Sequence, residues 1–121
     1  MLFTLKLNDN KDFLRLYKKG RYVAGSSCVI YYFRNRLPYN RMGITAGKKL
    51  GGAVQRNRAK RLIRQAYRET ETLFPVGFDL VIVARAAILN EKCPSVTAFL
   101  RSCAKRINKQ EKSDNKSNRN I

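Results

Sequence analysis

One segment limits what this chain can fold into more than any other. Residues 51–68, GGAVQRNRAKRLIRQAYR, hold six Arg and Lys residues and no carboxylate in eighteen positions. At 100° per residue, Ala59, Leu62, Ile63, Ala66, Thr70 and Leu73 fall on one stripe of a helix spanning roughly Val54–Phe74. Asn57, Arg61, Arg64 and Arg68 form a second stripe on the opposite side, with Lys60 beside it. The first stripe needs a core to pack against. The second carries one sign of charge, without the opposite charges at i+4 that an ordinary solvated face uses to balance itself. Such a helix implies a sheet or bundle on one side and a polyanion on the other.

Composition points the same way. The formal charge is +18 over 121 residues, with a pI near 10.5. Between Asp12 and Glu69 there is no acidic residue, while fifteen Lys and Arg fall in that span. Self-repulsion on this scale destabilises a compact state unless a polyanion neutralises it. A membrane surface would also serve, but the longest apolar runs, CVIYYF and LVIVA, have strand length. The start, MLFTLKLNDNKDF, lacks the basic and apolar regions of a signal peptide. Histidine is absent, so His-dependent catalysis is excluded, and the eight carboxylates are scattered. Only Asp79 lies in an apolar context, which argues against a protein-built two-metal nuclease site. Cys28, Cys93 and Cys103 have no metal-ligand spacing and read as buried, reduced thiols of a cytoplasmic protein.

Along the chain, LNDNKDFLRLYKKGRY predicts a short helix capped by Asn8, Asp9 or Asn10 and ended by Gly20. SSCVIYYFRN predicts a strand with Val29, Tyr31 and Phe33 on one face and Cys28, Ile30 and Tyr32 on the other. RLPYN reads as a turn, and RMGITAG as a second strand paired antiparallel to the first. FDLVIVARAA has the continuous apolar character of a strand buried on both faces. PSVTAFLRSCAKRI predicts a last helix with Ser95 as cap. From Asn108 the sequence is polar and of low complexity, and a disordered tail is expected over 108–121. The order is helix, strand, strand, helix, strand, helix, an α/β (α+β) sandwich forming a single domain over residues 1–107. Phe13, Tyr17 and Tyr31 are either ordinary core or, if the first helix packs beside the strand, a platform for unpaired bases. Gln55–Arg58, near the start of the basic helix, could instead reach base edges in a DNA groove.

The stretch GKKLGGAVQRNRAKRLIRQAYR resembles the signature of the bacterial ribonuclease P protein family. Lys48, Lys49, Leu50, Gly51, Ala53, Val54, Arg56, Asn57, Arg58, Lys60 and Arg61 match its core. FLRLYKKGRY, CVIYYF, RMGITAGKK and FDLVIVAR agree, so the resemblance covers about residues 5–107. It implies a two-layer sandwich in which the basic helix makes a left-handed β-α-β crossover, where pattern alone would suggest a right-handed one. It implies that a partner RNA subunit, using Mg²⁺, removes the 5′ leader of precursor tRNA, and that the protein binds both RNAs as a monomer. The RNA-facing residues would then be Lys48, Lys49, Arg56, Asn57, Arg58, Lys60, Arg61, Arg64 and Arg68. A leader-binding cleft would use Phe13, Tyr17, Val29 and Tyr31, with Lys60 near the junction. Some members bind metal ions weakly at their surface, but no ligands can be named here. Tyr17 stands where Phe is common, Gly47 where Ser is frequent, and Cys28 where an aromatic is frequent. A structural RNA-binding protein of ribosomal type is the alternative that composition leaves open.

Overall fold

The computed structural model describes the backbone of residues 3–119 and the side-chain surroundings of residues 3–113. The elements are β1 (Leu5–Lys6), α1 (Asn10–Lys19), β2 (Arg21–Ala24), β3 (Cys28–Arg34), β4 (Arg41–Thr45), α2 (Ala53–Thr70), β5 (Phe78–Ala84) and α3 (Cys93–Arg119). Short 3-10 turns occupy Lys48–Leu50, Glu71–Leu73 and Ala86–Asn90. The expected mixed α+β architecture is therefore present, with β1 and β2 added to the elements legible in the sequence.

The five strands lie in the order β1-β4-β5-β3-β2. β4 runs parallel to β1 and β5, whereas β3 is antiparallel to β5 and β2. The expected antiparallel pairing of residues 28–34 with 41–47 does not occur, because β5 is inserted between them. Two asparagines explain why the short 35–40 connection does not close a hairpin. Asn35 accepts from the Leu37 N–H at 2.8 Å and donates to Asp79 at 2.9 Å. Buried Asn40 accepts from the N–H groups of Gly77 and Phe78, both at 2.8 Å. The loop is thus tied to the start of β5. Leu80, Val81 and Ile82 are fully buried, as befits a central strand covered on both faces.

The main core lies between one sheet face and helices α2 and α3. Cys28, Ile30 and Tyr32 of β3 and Leu80 and Ile82 of β5 meet Ala59, Ile63, Ala66 and Tyr67 of α2 there. Val96, Leu100, Cys103 and Ile107 of α3 complete it. On the opposite face, Leu16 of α1 is buried with Leu7 and Val81, and Phe13, Tyr31, Phe33 and Val83 pack around them half-buried. α1 thus adds a partial third layer and leaves part of that sheet face open. Asp9 caps α1, its carboxylate accepting from the Lys11 N–H at 3.0 Å. At the other end, a Cβ on Gly20 would lie 2.5 Å from the Leu16 carbonyl oxygen, so the chain leaves the helix through a position open only to glycine.

Two details of the helices differ from expectation. The last turn of α2 tightens into the 3-10 turn, which rotates Leu73 out to 43% exposure. Tyr67 and Glu71 take the buried positions instead. The Tyr67 hydroxyl lies 2.9 Å from Thr4 Oγ1, and Glu71 accepts from the Thr4 N–H at 3.0 Å. This clamps the N-terminal segment to the end of α2, and burial pushes the Tyr67 phenol up to about 12. Secondly, α3 does not give way to a disordered tail at Asn108 but continues helical through Arg119. Its polar residues are anchored. Asn108 donates to the Leu73 carbonyl at 2.8 Å, Gln110 accepts from the Tyr32 hydroxyl, and Glu111 pairs with Arg34 at 2.6 Å. Residues 120 and 121 of the expected tail lie outside the described part.

Candidate nucleic-acid interface

The helical periodicity of α2 divides its side chains between two environments. Ala59, Ile63 and Ala66 are fully buried against the sheet. Asn57, Arg58, Arg61, Arg64 and Arg68 are exposed, and Arg56 and Lys60 are half-buried at the flanks. Lys48 and Lys49 are exposed on the 3-10 turn that leads into the helix. Gly51, at φ +123°, makes the reversal from that turn into α2, in a backbone region that side-chain-bearing residues rarely adopt. No acidic residue lies in the first turn of α2, and the Gly52 cap supplies no side-chain acceptor.

Among the described residues, no cation of this face belongs to an ion pair. Arg15, Arg34 and Arg41, elsewhere on the molecule, do form pairs. The one carboxylate on the seam with α3 is Glu69, and it is held by the Thr97 hydroxyl at 2.8 Å and the Gln65 amide at 3.2 Å. Those hydrogen bonds lower its pKa, so it stays ionised without neutralising a neighbouring arginine through contact. Arg56 Nε donates to the Gly52 carbonyl at 3.4 Å, whereas the guanidiniums of Arg58, Arg61, Arg64 and Arg68 have no ion-pair partner among the described residues and are open to bidentate contacts.

The second surface is built by strand register. Gly43, Val81, Tyr31 and Tyr22 lie in one row across the sheet, and Thr45, Val83, Val29 and Ala24 in the next. Both rows face the side on which α1 sits. The Phe13 ring lies over Gly43, where an added Cβ would come within 2.5 Å of the ring. The Tyr17 and Tyr31 rings meet edge to face, with centroids 5.0 Å apart, and the Tyr17 hydroxyl reaches Thr45 at 3.1 Å. Tyr22 joins from the other side at 5.7 Å and is 64% exposed. The structure thus brings Phe13, Tyr17, Val29 and Tyr31 onto one concave, half-open face. Tyr22 and Thr45 belong to the same face and were not foreseen. Tyr22 follows from cross-strand pairing with Tyr31 once RYVA is recognised as a strand.

A groove of about 420 Å³ connects the two surfaces, with Phe13, Gly43 and Ile44 on one side and Lys6, Lys60 and Arg64 on the other. Lys60 and Arg64 therefore stand where the aromatic cleft meets the basic face. Lys6 comes from the two-residue strand β1, too short for a sequence pattern to disclose.

Other polar clusters have structural partners. Asp79, a buried carboxylate, receives Arg41 through two hydrogen bonds at 2.6 and 2.8 Å. Among the described residues, no group of three or more Cys, Asp or Glu converges as a metal site. Cys28 and Cys103 are fully buried, and burial pushes their thiols up to about 11 and about 12. Cys93 departs from the expected burial, being half-exposed in the first turn of α3. No described helix is long and apolar enough to cross a membrane.

Fold and surfaces together define a small basic α+β protein that presents an unneutralised cationic helix and an aromatic cleft, the equipment of an RNA-binding subunit. Comparison with known proteins makes the class specific. The ribonuclease P family model matches residues 2–108, and the chain belongs to the ribonuclease P protein family, whose members form the protein subunit of that enzyme. The ribonuclease P protein component of Pelotomaculum thermopropionicum is 38% identical over 100 residues, covering 83% of this chain and 89% of that one. That of Clostridioides difficile is 35% identical over 104 residues, covering 85% and 91%. The ribonuclease P protein of Thermotoga maritima superposes with a TM-score of 0.76 at 30% identity, covering 84% of this chain and 96% of that one. The Staphylococcus aureus protein gives 0.73 at 33% identity, covering 83% and 92%.

Proposed function

We propose that this protein binds the catalytic RNA subunit of ribonuclease P through the basic face of α2 and holds the 5′ leader of precursor tRNA in the aromatic cleft. The observation that supports this reading is the separation of the two surfaces across one sheet edge, with Lys60 and Arg64 at their junction. Lys48, Lys49, Arg56, Asn57, Arg58, Arg61 and Arg68 engage phosphates of the RNA subunit. Phe13, Tyr17, Val29 and Tyr31 receive unpaired leader bases, a mode that tolerates sequence variation because every base has a π-face. The protein screens repulsion between two polyanions and lengthens the substrate contact. Cleavage is carried by the RNA, with Mg²⁺ held by RNA phosphates. The donor set does not suit that ion, since among the described residues the carboxylates do not converge and the surrounding cations repel it. The protein acts as a monomer in the cytoplasm.

Reconstitution tests this. The purified protein alone should leave precursor tRNA intact. Added to a bacterial ribonuclease P RNA at low Mg²⁺, it should restore removal of the leader. Absence of any stimulation across salt conditions would refute the assignment, and cosedimentation with ribosomal subunits in place of that RNA would favour a structural ribosomal role.

A further inference from the structure

Beside the outward stripe of α2, where the first turn of α3 approaches it, lies a groove of about 470 Å³. Its floor is apolar, formed by half-buried Leu62 and Cys93, and its walls include Arg58, Arg61, Arg64 and Arg68. The Cys93 thiol lies 3.7 Å from the Thr97 hydroxyl, along α3, and Gln65, which also lines the groove, donates its amide to Glu69. The volume falls in the range of small-ligand sites. Leu62 sits on the core-facing stripe by periodicity, yet remains half-open because the first turn of α3 stops short of covering it.

A phosphate backbone laid across the four guanidiniums would satisfy their charge and leave the apolar floor wet. A flat, apolar-faced group attached to a polyanion satisfies both. We infer that the groove between α2 and the start of α3 receives one unpaired nucleobase of the ribonuclease P RNA subunit. The base inserts its ring between Leu62 and Cys93 and stacks on a guanidinium plane, while the remaining arginines hold the flanking phosphates. This rests on the functional reading above and adds to it a site that takes a base rather than a backbone.

Cys93 reports on the groove directly. It is the one cysteine that is not fully buried, so iodoacetamide labels it selectively, since a reactive thiol must be reachable. In the complex with ribonuclease P RNA, labelling of Cys93 should slow by about tenfold or more, the scale of one stacked base. A fully paired RNA duplex, offering phosphates alone, should not protect it to that degree. Filling the groove should cost affinity for the RNA subunit by about the same factor. This is done by Cys93→Trp, or by attaching phenylmaleimide to Cys93 after folding, so that the result does not depend on the variant folding. Equal protection by duplex RNA, labelling in the complex within about twofold of the free rate, or unchanged affinity of the phenylmaleimide adduct would each overturn base insertion. Each of these leaves reconstituted cleavage by the parent protein intact, whereas failure of the parent to bind the RNA would overturn the functional reading itself.

Discussion

Neutralising two arginines of α2 gives a quantitative test of what the basic face does. Lys48, Lys49, Arg58, Arg61, Arg64 and Arg68 are exposed and form no ion pair among the described residues. If each meets one RNA phosphate, duplex arithmetic sets the slope of log K against log salt at about −5.4. Affinity for the RNA subunit should then fall by about 2,000-fold between 50 and 200 mM monovalent salt. Arg61→Gln with Arg64→Gln removes two of the six, reducing the slope to about −3.6 and the loss over the same range to about 150-fold. Neither side chain has a hydrogen-bond or ion-pair partner among the described residues, so thermal stability should stay within about 0.5 kcal/mol of the parent. Filter binding or fluorescence titration of the RNA subunit across four salt concentrations supplies both slopes. Equal slopes for parent and variant, with the variant folded, would show that these arginines face water in the complex and would refute the polyanion reading of the stripe.

The cleft should behave independently of that face. Tyr17→Ala and Tyr31→Ala should each weaken holoenzyme binding of precursor tRNA with a long leader by about 1–3 kcal/mol while leaving mature tRNA unaffected, measured as the ratio of the two Kd values. Loss of Asp79 should be felt in stability. Asp79→Ala strands the Arg41 guanidinium, which is 26% exposed, with only Asp12 at 3.6 Å. A cost of about 2–3 kcal/mol and a melting temperature lower by about 10 °C are expected, and an unchanged melting temperature would contradict the ion-pair account. Alkali should also destabilise the fold. Cys28, Cys103 and Tyr67 hold their protons to about 11, about 12 and about 12, against ordinary values of 9.0 and 10.0. The unfolded chain therefore releases these protons first, so their contribution is full below about pH 9 and disappears as pH rises through 11 to 12. A melting temperature flat to about pH 9 and falling beyond it is the expected profile.

The parts of the molecule that the sequence discloses are those governed by one local rule. α2 is legible because a 3.6-residue period and a single sign of charge coincide over five turns. β5 is legible because six of its seven residues are apolar and they fall on both faces. What escaped depends on distant partners. Nothing local to Asn35 and Asn40 says that they tie the loop to β5 and so keep β3 and β4 apart. β1 and β2 have two and four residues, too few for alternation to stand out. Nothing local to Glu71 discloses its burial, which the N–H groups of Phe3 and Thr4, arriving from the far end of the chain, help to satisfy. The candidate site shows the same division. The cations and three of the aromatics could be named from the sequence, whereas Tyr22, Thr45 and Lys6 enter through pairing register.

The insertion of β5 has a consequence for how the chain comes into being. The strand at the centre of the sheet is the last of the five to be synthesised, because β1, β2, β3 and β4 all precede it. Until Phe78–Ala84 leave the ribosome, β2–β3 and β1–β4 are separate fragments, each with an open edge, and α2 has no complete floor on which to lay Ile63 and Ala66. A nascent chain paused with α2 outside the ribosome and Phe78–Ala84 still within it thus exposes the arginines of α2 on an unfolded, strongly cationic polymer. It does so beside the densest RNA surface in the cell, where non-specific capture competes with folding. Production of this protein should therefore be far more sensitive to a pause that leaves α2 outside the ribosome and β5 within it than to one after Ala84 has emerged, when the sheet can close.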